Sequence, residues 1–377
     1  CIRDSYYTRV TDAVGGVHVR LSPFDRRVVD IRFFDGQGRN LSKNAERGIE
    51  RIFFREDFRR VYLDEIGTIE YAPEVADTYN RGFLKAVDVE AIRQAGFKIV
   101  VDYAYAPSSE VLSPILNELD VEVVPLSAHV DGDKMSVSPE AFDQALRQLT
   151  LITGALDTHL GVRFDVGGEK IFLVDHTGRH VPGVPAAAAM ATLALKASPE
   201  GKIVVPVHMP TIFEKIAAEH GGQVIRCKVD PHALMDSSAR EGVVLAADGT
   251  GNYVLPHFQP TIDGLMAAVK LLEFLSTQNT SLADVVAGLP PFFVGHREVT
   301  CPWEAKGTVM RLLNQQYKDR RADLIDGVKI LLAEGEWVLI LPDPDYPKFH
   351  IHAEAGSDAE ADALVERYVR IVEGLRE

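Results

Sequence analysis

The chain has few cysteines, no long apolar run and no cluster of basic residues, and each shortage excludes a class of protein. Its three cysteines, Cys1, Cys227 and Cys301, are widely spaced and show no C-x-x-C pattern, which argues against a disulfide scaffold and a cysteine-based zinc site. No apolar run reaches the ~18–20 residues of a membrane-spanning helix, so an integral membrane protein is excluded. A chain with so few cysteines fits a reducing, cytoplasmic setting.

An excess of negative charge excludes two further kinds of partner. The 55 acidic residues outnumber the 40 basic ones, which gives a net charge of −15 over 377 residues. A surface of this sign repels nucleic acid and anionic membranes, so we expect neither as a partner. The chain begins at Cys1, without an initiator methionine or a signal-peptide pattern. We interpret it as part of a longer protein, or as a chain that starts inside a domain.

Alternating strand and helix patterns predict an α/β fold for most of the chain. The best-defined units read strand–helix–strand, as a parallel sheet requires. The first predicted unit has a strand at 17–21 and a helix from Ser42, with Ile49, Ile52 and Phe53 on one face. The second has a strand at 97–101, a helix at 111–119 and a strand at 121–126, followed by strands at 161–164 and 170–174. The third has a strand at 202–207, a helix at 212–220 and a strand at 224–229.

The last part of the chain follows a different pattern. Closely spaced strands at 328–332, 337–341 and 348–355 precede a helix at about 358–375. Such spacing predicts an antiparallel sheet with helices on one face. The periodicity of the final helix predicts one buried side, formed by Ala363, Leu364, Tyr368 and Val372.

Ser22 lies just past the first predicted strand, between Arg20 and Arg32 in the sequence. A serine in this place could accept a phosphoryl group, since neighbouring cations stabilise the charge that spreads over the transferring oxygens. The alternative is an ordinary turn serine beside two surface arginines, because serine favours turns. Spacing alone leaves both interpretations open.

Two loops supported by glycine also follow predicted strands. Asp165 and Glu169 flank a tight glycine turn, where carboxylates can converge on a hard cation such as Mg²⁺; the same residues also fit a plain hairpin turn. Asp248, Thr250 and Asn252 present the donors and acceptors that sugar hydroxyls need, or they form a structural turn.

The segment 341–348 joins two strands of the last part and contains three prolines, which by itself predicts a rigid connection. On the strand that follows, His350 and His352 alternate and therefore share a face. A zinc site needs more ligands than these two. No third ligand is evident nearby in the sequence, so we do not predict a metal site there.

Together these loops resemble, in order and spacing, the active-site loops of the α-D-phosphohexomutases, the phosphoglucomutase/phosphomannomutase family. The family's serine loop reads G-G-I-M-I-T-A-S-H-N-P, and residues 15–25 read G-G-V-H-V-R-L-S-P-F-D, with Ser22 at the phosphoserine position. The metal loop D-x-D-x-D-R matches 165–170, the sugar loop G-E-x-S-G-H matches 247–252, and the phosphate loop R-P-S-G-T-E-P-K matches 341–348.

Two of these loops depart from the family pattern. Gly167 and Glu169 replace aspartates of the metal loop, so the resemblance implies Mg²⁺ at a weakened site, because hard cations are held largely by ligand charge. In the phosphate loop, Leu341 replaces arginine and residues 343–345 read Asp-Pro-Asp instead of Ser-Gly-Thr. Two carboxylates repel a phosphate dianion by roughly 1 kcal/mol each at about 4 Å even in water. Only Lys348 still attracts phosphate.

The resemblance implies an α/β fold of three phosphoglucomutase-like α/β domains plus a smaller C-terminal α+β domain around a central cleft. The predicted domains are 1–80 with the active-serine loop and an incomplete N-terminal part, 81–184 with the metal loop, 185–294 with the sugar loop, and 295–377 with the degenerate phosphate loop. The predicted site residues are Ser22, Arg20, Arg32 and Lys170 for catalysis, Ser22, Asp165 and Glu169 for the metal, and Asp248, Thr250, Asn252 and Lys348 for the substrate.

The implied activity is that of an intramolecular phosphotransferase of the isomerase class in carbohydrate metabolism. It would interconvert hexose 1- and 6-phosphates through a phosphoserine and Mg²⁺, impaired by the two altered loops. The wording V-R-L-S-P at 19–23 is most similar to the mutase-like module C-terminal to a mannose-1-phosphate guanylyltransferase. That likeness implies an alternative, a non-catalytic sugar-phosphate-binding or scaffold module linked to a nucleotidyltransferase domain. The sequence leaves both functions open, and it does not decide between glucose and mannose.

Overall fold

A computed structural model describes residues 2–22, 25, 27–317 and 322–376. Within these ranges, α/β units follow one another in the predicted order and end in an antiparallel sheet with helices, so the predicted fold class is confirmed. No helix in the described ranges is both long and apolar enough to cross a membrane. Cys227 and Cys301 are buried and free, whereas Cys1 lies outside the described residues. The domain boundaries after residues 80, 184 and 294 stay predictions.

The first unit is built from α1 (Ile2–Val10), β1 (Gly15–Leu21), β2 (Val29–Asp35) and α2 (Lys43–Arg55). In the antiparallel register of β1 and β2, Arg20 and Arg32 lie on one face of the hairpin, because neighbouring residues alternate between faces. Ser42 caps α2 with its side chain, as predicted for the start of this helix. Ile52 and Phe53, on the predicted apolar face of α2, are exposed.

The second unit contains α3 (Val75–Lys85), α4 (Val89–Ala95), β3 (Lys98–Asp102), α5 (Ser108–Glu118), β4 (Glu122–Leu126), α6 (Pro139–Ala155), β5 (Leu160–Phe164), β6 (Ile171–Asp175) and β7 (His180–Val181), and a short 3-10 turn at Leu63–Glu65 precedes it. Its sheet has the order β4-β3-β5-β6-β7, parallel from β4 to β5 and antiparallel beyond. Asp102 of β3 and Arg163 of β5 form a buried cross-strand ion pair.

The third unit contains α7 (Gly183–Ala197), β8 (Lys202–Pro206), α8 (Ile212–Glu219), β9 (Gln223–Cys227), α9 (Pro231–Ser238), β10 (Val243–Ala247), β11 (Tyr253–Leu255), β12 (Gln259–Ile262), α10 (Gly264–Thr277) and α11 (Leu282–Ala287). The strand order is β12-β11-β10-β8-β9. Leu272 of α10 packs in one core with Val101 of β3 and Val205 of β8. The second and third units therefore share a hydrophobic core.

The fourth unit contains β13 (Phe293–Thr300), α12 (Trp303–Gln316), β14 (Ala322–Asp323), β15 (Val328–Ala333), β16 (Glu336–Pro342), β17 (Lys348–Ala355) and α13 (Asp358–Arg376). Its sheet is antiparallel with the order β13-β17-β16-β15-β14, as predicted, although β13 itself was not predicted. Side chains of α12 and α13, such as Leu313 and Tyr368, pack on one face in a core of their own.

The predicted buried side of α13 is wrong at two positions. Ala361 and Val365 are buried, whereas Ala363 is exposed and Leu364 is only half-buried. Tyr368 and Val372 are buried as predicted, and a repeat of 3.6 residues per turn connects them to 361 and 365. The two wrongly predicted positions, 363 and 364, lie between the buried positions 361 and 365.

The opposite face of the fourth sheet contacts the third unit. Glu354 of β17 accepts hydrogen bonds from the amide and the hydroxyl of Thr211, both at 2.8 Å. The Lys329 ammonium donates to the carbonyl of Val207 at 2.8 Å. Val207 also packs against three alternate apolar side chains of β16, those of Trp337, Leu339 and Leu341. One face of this sheet thus packs in the core of the fourth unit, and the other face contacts the third unit.

Candidate functional site

Ser22 follows β1 at the junction of the first and second units. Its amide donates to the carbonyl of Val28 at 2.9 Å, and its carbonyl accepts from the hydroxyl of Ser136 at 2.5 Å. Pro23 and Phe24, which follow it in the serine motif, lie outside the described residues. The contact with Ser136 ties the serine loop to the second unit.

Arg20 and Arg32 reach the acidic loop of the second unit from one face of the hairpin. Arg32 Nη1 donates to both carboxylate oxygens of Glu169 at 2.7 Å. A Cβ built on Gly167 would lie 2.5 Å from Arg20 Nη1. The Nε and Nη1 groups of Arg20 are buried without a hydrogen-bond partner among the described residues, although Nε lies 3.7 Å from Asp30 Oδ2. Both guanidinium groups therefore lie beside the carboxylates predicted to bind a metal.

The surroundings of Asp165 and Glu169 shift the pKa values of these two carboxyl groups in opposite directions. Asp165 Oδ1 accepts from the amides of Glu169 and Lys170, at 2.7 and 2.8 Å. Burial and the neighbouring Glu169 charge raise the pKa of Asp165 above its ordinary value. Burial also acts to raise the pKa of Glu169, but the Arg32 and Arg20 cations outweigh it and lower that pKa. Glu169 is thus the carboxylate that the arginines hold ionised.

The sugar loop of the third unit meets the acidic loop through Lys170. The Lys170 ammonium donates to Thr250 Oγ1 at 3.1 Å, and a backbone bridge joins Lys170 to Asn252. Asp248 Oδ2 accepts from Thr250 Oγ1 at 2.9 Å and from Asn252 Nδ2 at 2.6 Å. The predicted sugar-binding residues of this loop therefore form one polar cluster beside the acidic loop.

Gly264, at the start of α10, packs against the backbone of the acidic loop. Its amide donates to the carbonyl of Gly168 at 3.0 Å, and a Cβ at this position would lie 2.6 Å from that oxygen. Only glycine allows the two backbones to approach so closely. Asp263, just before it, caps α10 by accepting from the amide of Met266 at 2.9 Å.

The buried Asp263 gives stability a defined pH dependence. Burial raises the pKa of Asp263 from 3.8 to about 6, although the hydrogen bonds that its carboxylate accepts from Tyr79 and Gln259 act to lower that pKa. Because the folded state then binds the proton more tightly than the unfolded state, the contribution of Asp263 to stability falls as pH rises from about 4 to about 6. We expect the native chain to lose up to about 3 kcal/mol relative to Asp263→Asn across this window. Urea unfolding of both proteins at several pH values measures the difference, and parallel curves would contradict it.

The loop at 341–348 satisfies its own polar groups. Asp343 Oδ1 accepts from the amides of Asp345 and Tyr346, at 2.8 and 2.9 Å. The Lys306 ammonium, which the sequence did not single out, donates to the carbonyls of Asp343 and Tyr346. Lys348 pairs with Glu298 at 2.8 Å. Lys348 is thus engaged within the fourth unit and is not brought into contact with the acidic loop.

The structure also corrects the expectation that His350 and His352 lack a third partner. His296, on β13, lies directly opposite His352 in the sheet, and its Nε2 is 3.1 Å from Nδ1 of His350. The sequence offered no sign of this contact, because β13 itself was not predicted.

Two matches to family models cover more than half of the chain. The model for phosphoglucomutase/phosphomannomutase, alpha/beta/alpha domain II, matches residues 77–178, and that for domain III matches residues 184–293. A curated relative, a probable phosphoglucosamine mutase of Methanopyrus kandleri, is 30% identical over 91% of this chain and 75% of its own length.

Solved structures show the same fold. A phosphoglucomutase/phosphomannomutase family protein of Burkholderia thailandensis is similar with a TM-score of 0.79 at 18% identity, covering 97% of this chain and 79% of that one. An N-acetylphosphoglucosamine mutase of Aspergillus fumigatus, solved in complex with GlcNAc-6P and magnesium, is similar with a TM-score of 0.67 at 11% identity, covering 100% and 92%. With the family models and the relative that is 30% identical, the chain belongs to the phosphoglucomutase/phosphomannomutase family of α-D-phosphohexomutases.

Proposed function

We propose that the chain binds a hexose phosphate in the cleft and acts as a phosphohexomutase, with Ser22 as the residue that carries the transferred phosphoryl group. The observation that carries this proposal is the convergence of three loops. Arg32 on the serine hairpin bonds Glu169 at 2.7 Å, and the adjacent Lys170 bonds Thr250 of the sugar loop at 3.1 Å. The β1–β2 hairpin beside Ser22 and the sugar loop at 247–252 therefore both contact the acidic loop at 165–170.

Each loop has a separate part in the proposed chemistry. A sugar hydroxyl attacks the phosphorus, so a new sugar O–P bond forms as the bond from phosphorus to the Ser22 oxygen breaks, and the hydroxyl proton ends on the released Ser22 oxygen. In the second step the Ser22 hydroxyl attacks the other phosphoryl group of the bisphosphorylated sugar, and the proton passes to the sugar oxygen that leaves. Arg20 and Arg32 lie on one face of the β1–β2 hairpin, in which Ser22 directly follows β1. The N–H groups of these arginines that Glu169 does not engage, such as Nε and Nη1 of Arg20, would donate to the transferring oxygens. Asp248 and its polar neighbours bind the sugar hydroxyls.

The acidic loop does not fit Mg²⁺ as it is arranged here. Gly167 offers no oxygen ligand, and both oxygens of Glu169 accept from Arg32. The Arg20 guanidinium lies beside Gly167, so two positive charges already balance Asp165 and Glu169. An ion must displace at least one arginine to bind, and we therefore propose a weakened Mg²⁺ site and assign no step to the metal.

The fourth loop supports an impaired rather than a full activity. The Asp343 carboxylate accepts from the loop amides at 345 and 346, which a bound phosphate would otherwise use. A carboxylate in this place repels a second anion. We therefore propose that substrate phosphate is held weakly at this end, and that turnover is slow. A linked nucleotidyltransferase domain stays a prediction.

The proposal is tested by loading the protein with phosphate. After incubation with glucose 1,6-bisphosphate, we expect intact-mass analysis to show one phosphoryl group per chain, and peptide mapping to place it on Ser22. Ser22→Ala should take up none, and its conversion of glucose, mannose and glucosamine 1-phosphates should fall to background. Ser42→Ala, which removes a helix-cap hydroxyl on the same unit, serves as the matched control and should behave like the native chain.

Two outcomes would contradict the proposed activity. The first is phosphoryl uptake that is unchanged in Ser22→Ala, because another residue would then be the acceptor. The second is binding of hexose phosphate by the native chain without phosphoryl uptake or turnover. That result would favour the alternative, a sugar-phosphate-binding module.

A further inference from the structure

A cluster of histidines lies on the face of the fourth sheet that is turned to the third unit. His296 of β13 lies opposite His352 of β17, and His350, two residues before His352, lies on the same face of β17. Each of the three offers a ring nitrogen, and these nitrogens lie within 4.8 Å of one another. The cluster therefore depends on strand register, which the pairing of β13 and β17 fixes.

We propose that His296, His350 and His352 bind a divalent transition-metal ion of the zinc type, at a site separate from the acidic loop. Imidazole nitrogens suit Zn²⁺, whereas Mg²⁺ prefers oxygen ligands. Two nitrogens on a tetrahedral Zn²⁺ ion lie about 3.3 Å apart, and His296 Nε2 and His350 Nδ1 are 3.1 Å apart. A rotation of the His352 ring, which stacks on His296 with centroids 4.5 Å apart, brings in the third nitrogen.

Asp343 prepares His350 for this role. His350 Nε2 donates to Asp343 Oδ2 at 2.9 Å, which leaves the lone pair on Nδ1, the nitrogen that faces His296. Carboxylates commonly fix the ring and tautomer of metal-binding histidines in this way. Asp343 is itself held by the amides of Asp345 and Tyr346. The residue that disrupts the family's phosphate loop thus acquires a second role as a positioning residue.

The surroundings leave a fourth position on the ion. Beside Nδ1 of His350, Glu298 Oε1 lies 3.7 Å away and also accepts from Lys348. From the third unit, His208 contacts His352 with ring centroids 5.2 Å apart, and its Nδ1 is buried without a hydrogen-bond partner among the described residues. A site with three protein ligands keeps such a position for water or a ligand oxygen, here on the side of the third unit.

The test uses the metal-free 377-residue chain and two probes, Co²⁺ for absorption and Zn²⁺ in competition with a chromophoric chelator. We expect one Co²⁺ per chain, with the visible bands of a four-coordinate site, displaced by Zn²⁺. His296→Gln changes an exposed side chain and should abolish these bands without changing thermal unfolding. Asp343→Asn should keep the stoichiometry and weaken Zn²⁺ binding about 10–100-fold.

Matched controls separate this site from other metal binding. His176→Gln removes an exposed histidine outside the cluster and should bind Co²⁺ like the native chain. Glu169→Gln should also leave the Co²⁺ bands unchanged, so the result does not depend on the proposed mutase activity. Co²⁺ bands that survive in both His296→Gln and His350→Gln, or the absence of any bound Co²⁺ in the native chain, would overturn the proposal.

Discussion

Replacing Gly167 with aspartate is expected to tighten Mg²⁺ binding to the acidic loop about tenfold or more, because it adds a charged oxygen ligand. A Cβ at this position would lie 3.1 Å from Asp165 Oδ2 and 3.2 Å from Glu169 Oε2, so the new carboxylate joins the existing pair. The same Cβ would lie 2.5 Å from Arg20 Nη1. That atom ends a flexible side chain and can move away, which also removes a positive charge from the site.

Gly167→Ala provides the matched control for this experiment. Alanine adds the same Cβ and displaces Arg20 equally, but it supplies no oxygen. Calorimetric titration with Mg²⁺ at constant ionic strength should show the gain for the aspartate variant alone. Equal affinities of the two variants would show that displacement of Arg20, rather than ligand charge, limits the ion.

Replacing Asp102 with alanine is expected to lower the free energy of unfolding by about 3–5 kcal/mol, because it leaves the buried Arg163 without its counter-charge. Asp102 and Arg163 are only 2% and 4% exposed and pair across β3 and β5. Asp102 also accepts from the amide of Ala104 at 3.0 Å. Urea unfolding monitored by circular dichroism measures the loss.

The neighbouring strand pair offers a control of the same kind at the surface. Lys98 and Glu122 pair across β3 and β4 at 2.9 Å, and Glu122 is exposed. Glu122→Ala should therefore cost less than about 1 kcal/mol. Adding Arg163→Met to Asp102→Ala removes the unpaired charge and should recover much of the loss. An Asp102→Ala variant no less stable than Glu122→Ala would contradict the expectation.

Local sequence patterns were sufficient to predict most elements that carry the loops. The apolar run that became β8 is buried along most of its length, as a strand in the middle of a parallel sheet must be. Gly221, just past the predicted helix at 212–220, has a φ of +68°, a conformation that glycine adopts at low cost. β13 was missed because its buried positions are few, with mostly exposed residues between them.

Contacts between loops could not be predicted from local sequence, because they depend on how the units dock. Arg32 and Glu169 are 137 residues apart in the chain. The sequence indicated Gly167 as a lost ligand, whereas the structure places the Arg20 guanidinium beside it. His296 joins His350 across 54 residues, and a shift of one residue in strand register would turn it to the other face.

The separate core of the fourth unit has a consequence for ligand entry. The second and third units are packed as one body, but the fourth holds its apolar residues in its own core and is joined to the third by polar bonds and a small apolar patch. We expect a unit joined in this way to rotate as one body, without repacking of its own core. The short connection at 288–292, which contains two prolines, separates α11 from β13, and we expect the rotation to occur there. Such a rotation would change the separation between the loop at 341–348 and the loops of the first three units.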